Sequence, residues 1–307
     1  MKAARIHSFG PPSVIVIDEI PRPKPARGEV LIRVGAAGVG PWDALIREKK
    51  AAVETPLPLI LGSDLSGVIE EIGTGVSGFA PGDTVYGVPN PQFIGAYTEY
   101  AIAAAEMIAR RPRGMDDIEA TSVPVVAVTA WQMLFDYAEA KAGQTALILG
   151  AAGNVGAYAV QLASQAGVRA IGTASSADLD FVRSLGGEAI DRSAKFEEIL
   201  RPVDFVLDLV GGEVRERAKK VIKPGGILVS AVSAFPESSE QTPGIRTAFF
   251  LVEVTTARLE TLTRLFESGK LKTQVGTVLP LAQAVRAHEM LAGAPHPRGK
   301  IVLKVGA

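Results

Sequence analysis

Along the first 121 residues, apolar and polar positions fall into short runs closed by glycine or proline: Ala3 to Ser8, Val14 to Glu19, Glu29 to Val34, Gly67 to Ile72, Asp83 to Val88 and Tyr97 to Ala101. Successive side chains of a strand point to opposite faces, so runs of this length and spacing predict a compact β unit. Ala80-Pro81-Gly82-Asp83 suits a tight connection, because proline presets one backbone angle and glycine tolerates a positive one. One helical piece, Trp42 to Lys50, interrupts the strands.

After Pro124 the rhythm changes. Apolar runs alternate with helical periodicity: Thr145 to Leu149, then Val155 to Ala166; Val168 to Thr173, then Leu179 to Leu185; Phe205 to Leu209, then Val214 to Ile222; and Gly226 to Ala231. Parallel strands need crossovers long enough for a helix, so this βα alternation predicts an α/β fold with a parallel sheet covered on both faces. A helix from Ala257 to about Ser268 leads into a tail, Leu271 to Ala307, whose last strand, Lys300 to Val305, is expected to rejoin the β unit. No internal repeat or charge block is present.

Composition narrows the function classes. The chain has 307 residues, 47% of them hydrophobic and 21% charged, which is ample for a buried core and excludes disorder. The absence of cysteine excludes a disulfide scaffold and thiol chemistry. A formal net charge of -1 lacks the basic excess that a nucleic-acid backbone requires. The N-terminal stretch alternates charged and apolar residues, unlike a secretory or transit signal, so a cytoplasmic protein is expected. Apolar runs such as Val123 to Ala130 fall short of the ~20 residues that span a bilayer, so no membrane partner is expected.

The sharpest local signal is Thr145 to Val160, a strand, a glycine-rich turn and an amphipathic helix in immediate succession, with Gly150, Gly153 and Gly156 in the turn. Glycines there let the backbone turn tightly, approach a pyrophosphate without an intervening Cβ, and pack the helix on its strand. The free amides of Asn154, Val155 and their neighbours, together with the helix dipole, would then face the phosphates. The spacing Gly-x-x-Gly-x-x-Gly is less specific than Gly-x-Gly-x-x-Gly, and the strand-turn-helix context supplies the weight. About 20 residues further on, where a carboxylate would mark NAD, stands Ile171-Gly-Thr173-Ala-Ser175-Ser176. Neutral hydroxyls accept an extra phosphate, and Arg192 at the end of the next short strand offers a guanidinium, which favours NADPH. Asp178 and Asp180 would oppose a phosphate if turned inward, so NADH stays open.

Other chemistries find little support. His7, His288 and His296 are scattered and no cysteine is available, so no zinc site is expected. No Gly-x-Ser-x-Gly elbow follows a strand. Cofactor chemistry remains, in which the nicotinamide carries the reactive hydride and the protein supplies binding and orientation. Tyr86 and Tyr97 have no evident activator, and no catalytic acid or base is assigned.

The order of motifs resembles the medium-chain dehydrogenase/reductase superfamily, and within it the zinc-free quinone oxidoreductase, or zeta-crystallin-like, branch. The likeness is carried by Gly38-Val-Gly40-Pro-Trp42-Asp43, Leu61-Gly-Ser63-Asp64-Leu-Ser-Gly67, Gly82-Asp83-Thr-Val85, Gly95-Ala-Tyr97-Thr-Glu-Tyr100, Thr129-Ala-Trp131, Gly150 to Gly156, Lys223-Pro-Gly-Gly226 and Arg298-Gly-Lys300-Ile-Val-Leu303. Zinc-dependent relatives carry a cysteine where Gly40 stands and a histidine where Ser63 stands, and their structural-zinc lobe has no counterpart between Val88 and Tyr97. The resemblance implies a GroES-like β-rich catalytic domain over residues 1–122 and 268–307, a Rossmann doubly wound domain over 123–267, and an active cleft at their junction.

It further implies nucleotide contacts from Thr129, Gly153 to Val155, Thr173, Ser175, Ser176, Arg192, Val210, Ala231, Val232, Ser233, Phe249, Phe250, Val252 and Lys300. Arg192 stands where many relatives carry tyrosine, and the lysine often found after the serine pair is missing. Many relatives have asparagine where Gly40 lies. Trp42 and Phe250 are expected to wall an apolar slot for a flat conjugated substrate, with interdomain packing as the alternative for Trp42. Asp43 and Asp64 read as capping or turn residues rather than catalysts. The function implied is an NADPH-dependent, metal-independent reductase of quinones or α,β-unsaturated carbonyls. The rivals are a metal-free alcohol or aldehyde oxidoreductase and an NADPH-binding redox sensor without turnover. A homodimer through the Rossmann sheet edge is also expected.

Overall fold

The computed structural model describes residues 1–51, 53–235 and 244–306. Its first stretch contains strands β1 (Lys2–Ile6), β2 (Ile15–Glu19) and β3 (Glu29–Val39), helix α1 (Pro41–Arg47), then β4 (Leu59–Ile60), β5 (Asp64–Ile72), β6 (Thr84–Gly87), β7 (Tyr100–Ala104), β8 (Ile108–Arg110) and helix α2 (Asp117–Ala120). Helix α3 (Pro124–Trp131) leads to an alternating series: β9 (Thr145–Leu149), α4 (Asn154–Gln165), β10 (Arg169–Ala174), α5 (Leu179–Ser184), β11 (Glu188–Asp191), α6 (Phe196–Ile199), β12 (Val203–Asp208), α7 (Gly212–Lys219), β13 (Ile222–Ser230) and β14 (Arg246–Phe249). Helix α8 (Thr256–Glu267), β15 (Val275–Pro280), α9 (Ala284–Leu291) and β16 (Lys300–Lys304) close the chain.

Two units result, Met1–Val125 with Glu253–Ala307, and Val126–Val252. In the first, β16 pairs antiparallel with β3, Ile301 opposite Val39, so the tail does rejoin the β unit. Strand β3 runs five residues past the predicted Val34 because its second half is held by this partner from the far end of the chain. The larger sheet has the order β15-β16-β3-β5-β6-β8 with β7 also on β3, and a smaller one the order β2-β1-β4. Ile6, Val30, Ile32, Leu65, Val85 and Ile301 share one core.

The sequence puts the second crossing between domains at residue 268, whereas helix α8, which precedes that point, lies with the first unit. The Thr256 hydroxyl donates to the Ile108 carbonyl at 2.7 Å, and the Tyr86 hydroxyl donates to the Leu259 carbonyl at 2.8 Å.

The second unit is a parallel sheet of six strands ordered β11-β10-β9-β12-β13-β14, every neighbouring pair parallel. This is the doubly wound order, whose reversal falls between β9 and β12 and opens a crevice at the strands' carboxyl ends. Leu147, Leu149, Ile171, Val206 and Leu228 form its core. Strands β9 and β12 are nearly continuous apolar runs, as central strands covered on both faces require. Strand β14 and helix α9 had no counterpart in the sequence reading, and residue 222, read as the end of a helix, starts β13.

Candidate functional site

The glycine-rich turn sits at the switch point, between the end of β9 and the start of α4. Gly150 has φ of 78°, a left-handed conformation that glycine adopts without a Cβ penalty. Its amide donates to the Thr173 hydroxyl at 3.1 Å, and the next amide, Ala151, donates to the Thr173 carbonyl at 2.9 Å, so β10 fixes the turn. A Cβ on Gly156 would stand 2.3 Å from the Gly150 carbonyl oxygen and 2.7 Å from the Ala151 Cα, and one on Gly172 would stand 2.4 Å from the Ala151 side chain. Helix and strand therefore approach closer than any side chain allows. Gly153 caps α4 without a side chain, and no acid lies in its first turn. The leading amides of a twelve-residue helix are thus left to an external acceptor.

The other expected nucleotide residues of this unit mostly follow the carboxyl ends of neighbouring strands. Ser175 and Ser176 follow β10, and the Ser175 hydroxyl donates to the Asp178 carboxylate at 2.6 Å. Asp180 is drawn to Arg183 at 2.6 Å. Arg192 follows β11, is exposed, and its amide donates to the Ala174 carbonyl at 2.7 Å. Hydrogen bonds from Ser193, with smaller contributions from Ser176 and the Arg192 charge, hold the Asp191 carboxyl below its usual range. Val210 and Val232 are exposed apolar side chains at the ends of β12 and β13. Thr129 lies buried on α3. Phe249 ends β14, and Val252 closes the unit. Phe250 is buried with its ring stacked on Tyr137 at 4.5 Å, so that face is already occupied.

Two residues that shape this rim were missed. Asp208, fully buried at the end of β12, accepts from the amides of Val210 at 3.1 Å and Gly211 at 2.7 Å and from the Ser230 hydroxyl at 2.8 Å. Arg215 donates to the Ser233 carbonyl at 3.0 Å and lies over the Phe235 ring at 4.7 Å. They pin the loops carrying Val210 and Ala231 to Ser233. An apolar strand ending in a lone aspartate was the available signal for the first; nothing local marked the second.

Lys300 and Trp42 belong to the first unit, where a buried polar cluster gathers around Gly40. The Lys300 ammonium contacts the Asp64 carboxylate at 2.8 Å, with both side chains at most 3% exposed. The other Asp64 oxygen accepts from the Val125 amide at 2.8 Å. Lys300 thus has its charge balanced within its own unit. Asp43 caps α1 as expected, accepting from the Gly40 amide at 2.8 Å, and the same oxygen accepts from the Tyr97 hydroxyl at 3.0 Å. Burial, the largest influence, pushes the Asp43 carboxyl up to about 7, with Asp64 acting the same way against the Gly40 amide, Lys300 and Tyr97. Burial also raises Tyr97 well above the phenol range, as does the neighbouring Asp43 charge. Tyr97 packs edge-on against His288, whose Nδ1 accepts from Arg47 at 2.6 Å. Burial and the Arg47 charge lower His288 to about 3, so it is a neutral core residue.

Trp42 is half-buried. Its indole donates to the Gln92 carbonyl at 2.9 Å and meets Phe93 edge to face at 6.4 Å. Phe93 is thus an aromatic partner of Trp42 within the first unit. His7 and His296 are exposed, on Asp18 and the Pro297 carbonyl.

Residues 26–113 match the model of an alcohol dehydrogenase GroES-like domain, and residues 185–303 match that of a zinc-binding dehydrogenase. A quinone oxidoreductase of Rattus norvegicus is 28% identical across 99% of this chain and 97% of its own length. A chloroplastic NADPH-dependent alkenal/one oxidoreductase of Arabidopsis thaliana is 32% identical across 99% of this chain and 79% of its own length. The solved structure of the quinone oxidoreductase from Coxiella burnetii superposes with a TM-score of 0.91 at 33% identity, covering 100% of this chain and 99% of that one.

Proposed function

The chain belongs to the medium-chain dehydrogenase/reductase superfamily, in its zeta-crystallin-like quinone oxidoreductase branch, and from that premise we propose that it is an NADPH-dependent reductase of quinones or α,β-unsaturated carbonyls. The observation that carries the reading is the turn from Gly150 to Gly156, where the close helix-strand approach and the uncapped start of α4 suit a diphosphate. When bound, a dihydronicotinamide supplies the hydride. The protein's part is to hold and orient it. Gly153, Asn154, Val155 and Gly156 would offer backbone amides to the pyrophosphate; Ser175, Ser176 and Arg192 would border the adenosine ribose; Val210, Ala231, Val232 and Ser233 would line the path toward the nicotinamide.

Purified protein mixed with NADPH and a panel of quinones, enones and aldehydes tests this by cofactor absorbance. Oxidation with quinones or enones is the expected result. Turnover with aldehydes alone supports the alcohol or aldehyde reading, and binding without turnover supports the sensor.

The exposed Arg192, the neutral hydroxyls and the name of the Arabidopsis relative support NADPH. One observation supports NADH: the Asp178 carboxylate, 2.6 Å from the Ser175 hydroxyl, suits a ribose hydroxyl. Arg192→Ala is therefore expected to weaken NADPH binding by roughly 10- to 100-fold, the worth of a charge-assisted contact, and to spare NADH. Equal losses for both nucleotides in a fluorescence titration remove the phosphate role.

We read the chemistry as zinc-independent because the donor set does not fit. The chain has no cysteine, the imidazole behind the cluster around Gly40, that of His288, lies against the Arg47 cation, Ser63 is a poor ligand, and both Asp64 oxygens are engaged. Homodimerisation through β14 belongs to the same reading, since this strand ends the six-stranded sheet and has one unpaired side among the described residues. No helix among the described residues is long and apolar enough to cross a membrane.

A further inference from the structure

A neutral hydroxyl spares a phosphate the repulsion of a carboxylate, but it binds one only with a proton to give. At the end of β10 those protons are committed. The Ser175 hydroxyl donates to Asp178 Oδ2 at 2.6 Å. The Ser176 hydroxyl bonds the Asp191 carboxyl, whose Oδ1 also accepts from the Ser193 amide at 2.8 Å and the Ser193 hydroxyl at 2.6 Å. A hydroxyl that has spent its one proton offers a ligand lone pairs alone. A 2′-phosphate near neutral pH is a set of charged acceptors, whereas the hydroxyls of an unphosphorylated ribose bring the donors that lone pairs need.

The second observation is where the charges stand. Asp191 lies opposite Ala174, the last residue of β10, in the parallel ladder, and the next amide, that of Arg192, donates to the Ala174 carbonyl at 2.7 Å. Asp178 lies on the turn that follows β10, its amide donating to the Ser175 carbonyl at 2.9 Å. Backbone bonds within the second unit therefore fix one carboxylate behind each serine. Arg183 and Arg192 are the cations of the stretch from Ile171 to Arg192. Arg183 is held by Asp180 at 2.6 Å, while Arg192 is exposed and lends its charge to Asp191. Two acids and one arginine thus frame the serine pair.

Resting on the reductase reading, we propose that this subsite serves both NADPH and NADH, and that Asp178 is the specificity-determining residue that sets their balance. With Asp178 taking its proton, Ser175 accepts from a ribose hydroxyl of NADH. The same carboxylate opposes the 2′-phosphate of NADPH, so that Arg192 holds this phosphate against a neighbouring negative charge instead of in a neutral setting. Asp191 acts in the same sense and more weakly, because Ser193 gives one of its oxygens two donors and Arg192 already answers its charge. Preference between the nucleotides is then a small difference between one attraction and one repulsion, and removing the repulsion tips it toward the phosphorylated form.

Fluorescence titrations with NADPH and NADH, and competition by 2′,5′-ADP and 5′-AMP, test this on the wild type, Asp178→Asn and Asp178→Ser. The two competitors carry the adenosine end alone, so they read this subsite without turnover. The wild type is expected to bind the two dinucleotides within roughly 10-fold of each other. Asp178→Asn keeps an acceptor for Ser175 and removes the charge, so NADPH and 2′,5′-ADP should bind roughly 10-fold tighter, while NADH and 5′-AMP gain nothing. Asp178→Ser should shift the ratio the same way. A wild-type preference beyond that range, or Asp178 variants that keep the wild-type ratio of NADPH to NADH affinity, overturns the proposal and leaves the reductase reading intact. A wild type that binds these nucleotides but oxidises neither dinucleotide with benzoquinone or 2-cyclohexenone overturns the reductase reading instead. Should Asp178→Asn fail to fold, Asp178→Ser and the wild-type ratio decide.

Discussion

Gly156→Ala is expected to cost about 3 kcal/mol of stability, the upper range of overpacking, and to weaken NADPH binding by roughly 100-fold. The added carbon would meet the Gly150 carbonyl oxygen at 2.3 Å and the Ala151 Cα and carbonyl carbon at 2.7 and 2.8 Å, all backbone atoms that cannot rotate away. Relief requires α4 to lift from β9, and its leading amides move with it. Gly153→Ala separates the two effects. Its Cβ would meet nothing nearer than the Gly150 oxygen at 3.3 Å, so the fold should survive while the added methyl obstructs a diphosphate. Chemical denaturation and a nucleotide titration of both variants give the answer. Wild-type affinity in both would mean that the turn cradles no phosphate.

The second large effect is on stability against pH. His288 has a folded value of about 3 against 6.5 for the free group, so the unfolded chain alone takes a proton as pH falls from 6.5 toward 3, and stability is lost over that window. Asp43 has a folded value of about 7 against 3.8, so the folded chain alone keeps a proton between those values, and stability is lost as pH rises through them. The two slopes oppose one another from pH 3.8 to 6.5, where the wild type should show a flat profile from this pair.

Asp43→Asn removes one slope. An asparagine can still accept from the Gly40 amide and the Tyr97 hydroxyl without burying a charge. Its stability relative to wild type should therefore rise by about 4 kcal/mol between pH 4 and pH 8, at 1.36 kcal/mol for each pH unit. Below pH 6.5 the variant should become progressively less stable with acid as the His288 slope stands alone. Urea denaturation across pH measures both, and a stability difference independent of pH would refute the buried titration.

Much of the second unit was legible because its signals are local. β9, the glycine turn and α4 are contiguous, and the missing carboxylate after β10 and the apolar runs of β10 and β12 can be read within a few residues of each element. Strand β14 escaped because Arg246-Thr-Ala-Phe249 carries no distinctive period, and its strand character comes from pairing with β13. Helix α8 was seen, but its allegiance was not, since that rests on Tyr86 and Ile108, far away in sequence. The stacking of Phe250 on Tyr137 likewise joins residues far apart in sequence.

The first unit's cluster was the least legible. Asp43 and Asp64 each read as an ordinary capping or turn residue, and both do accept backbone amides. No pattern in the sequence says that Lys300 lies against Asp64, that Tyr97 shares an oxygen with the Gly40 amide, or that His288 shields them. By itself the chain determined its strand and helix rhythm, its glycine-rich turn and its lack of cysteine, because each depends on residue type at short spacing. Tertiary structure alone decided which charges lose their water and meet one another. Desolvation and pairing are set by neighbours brought together from α1, β5, α9 and β16, and those contacts have no local period to betray them.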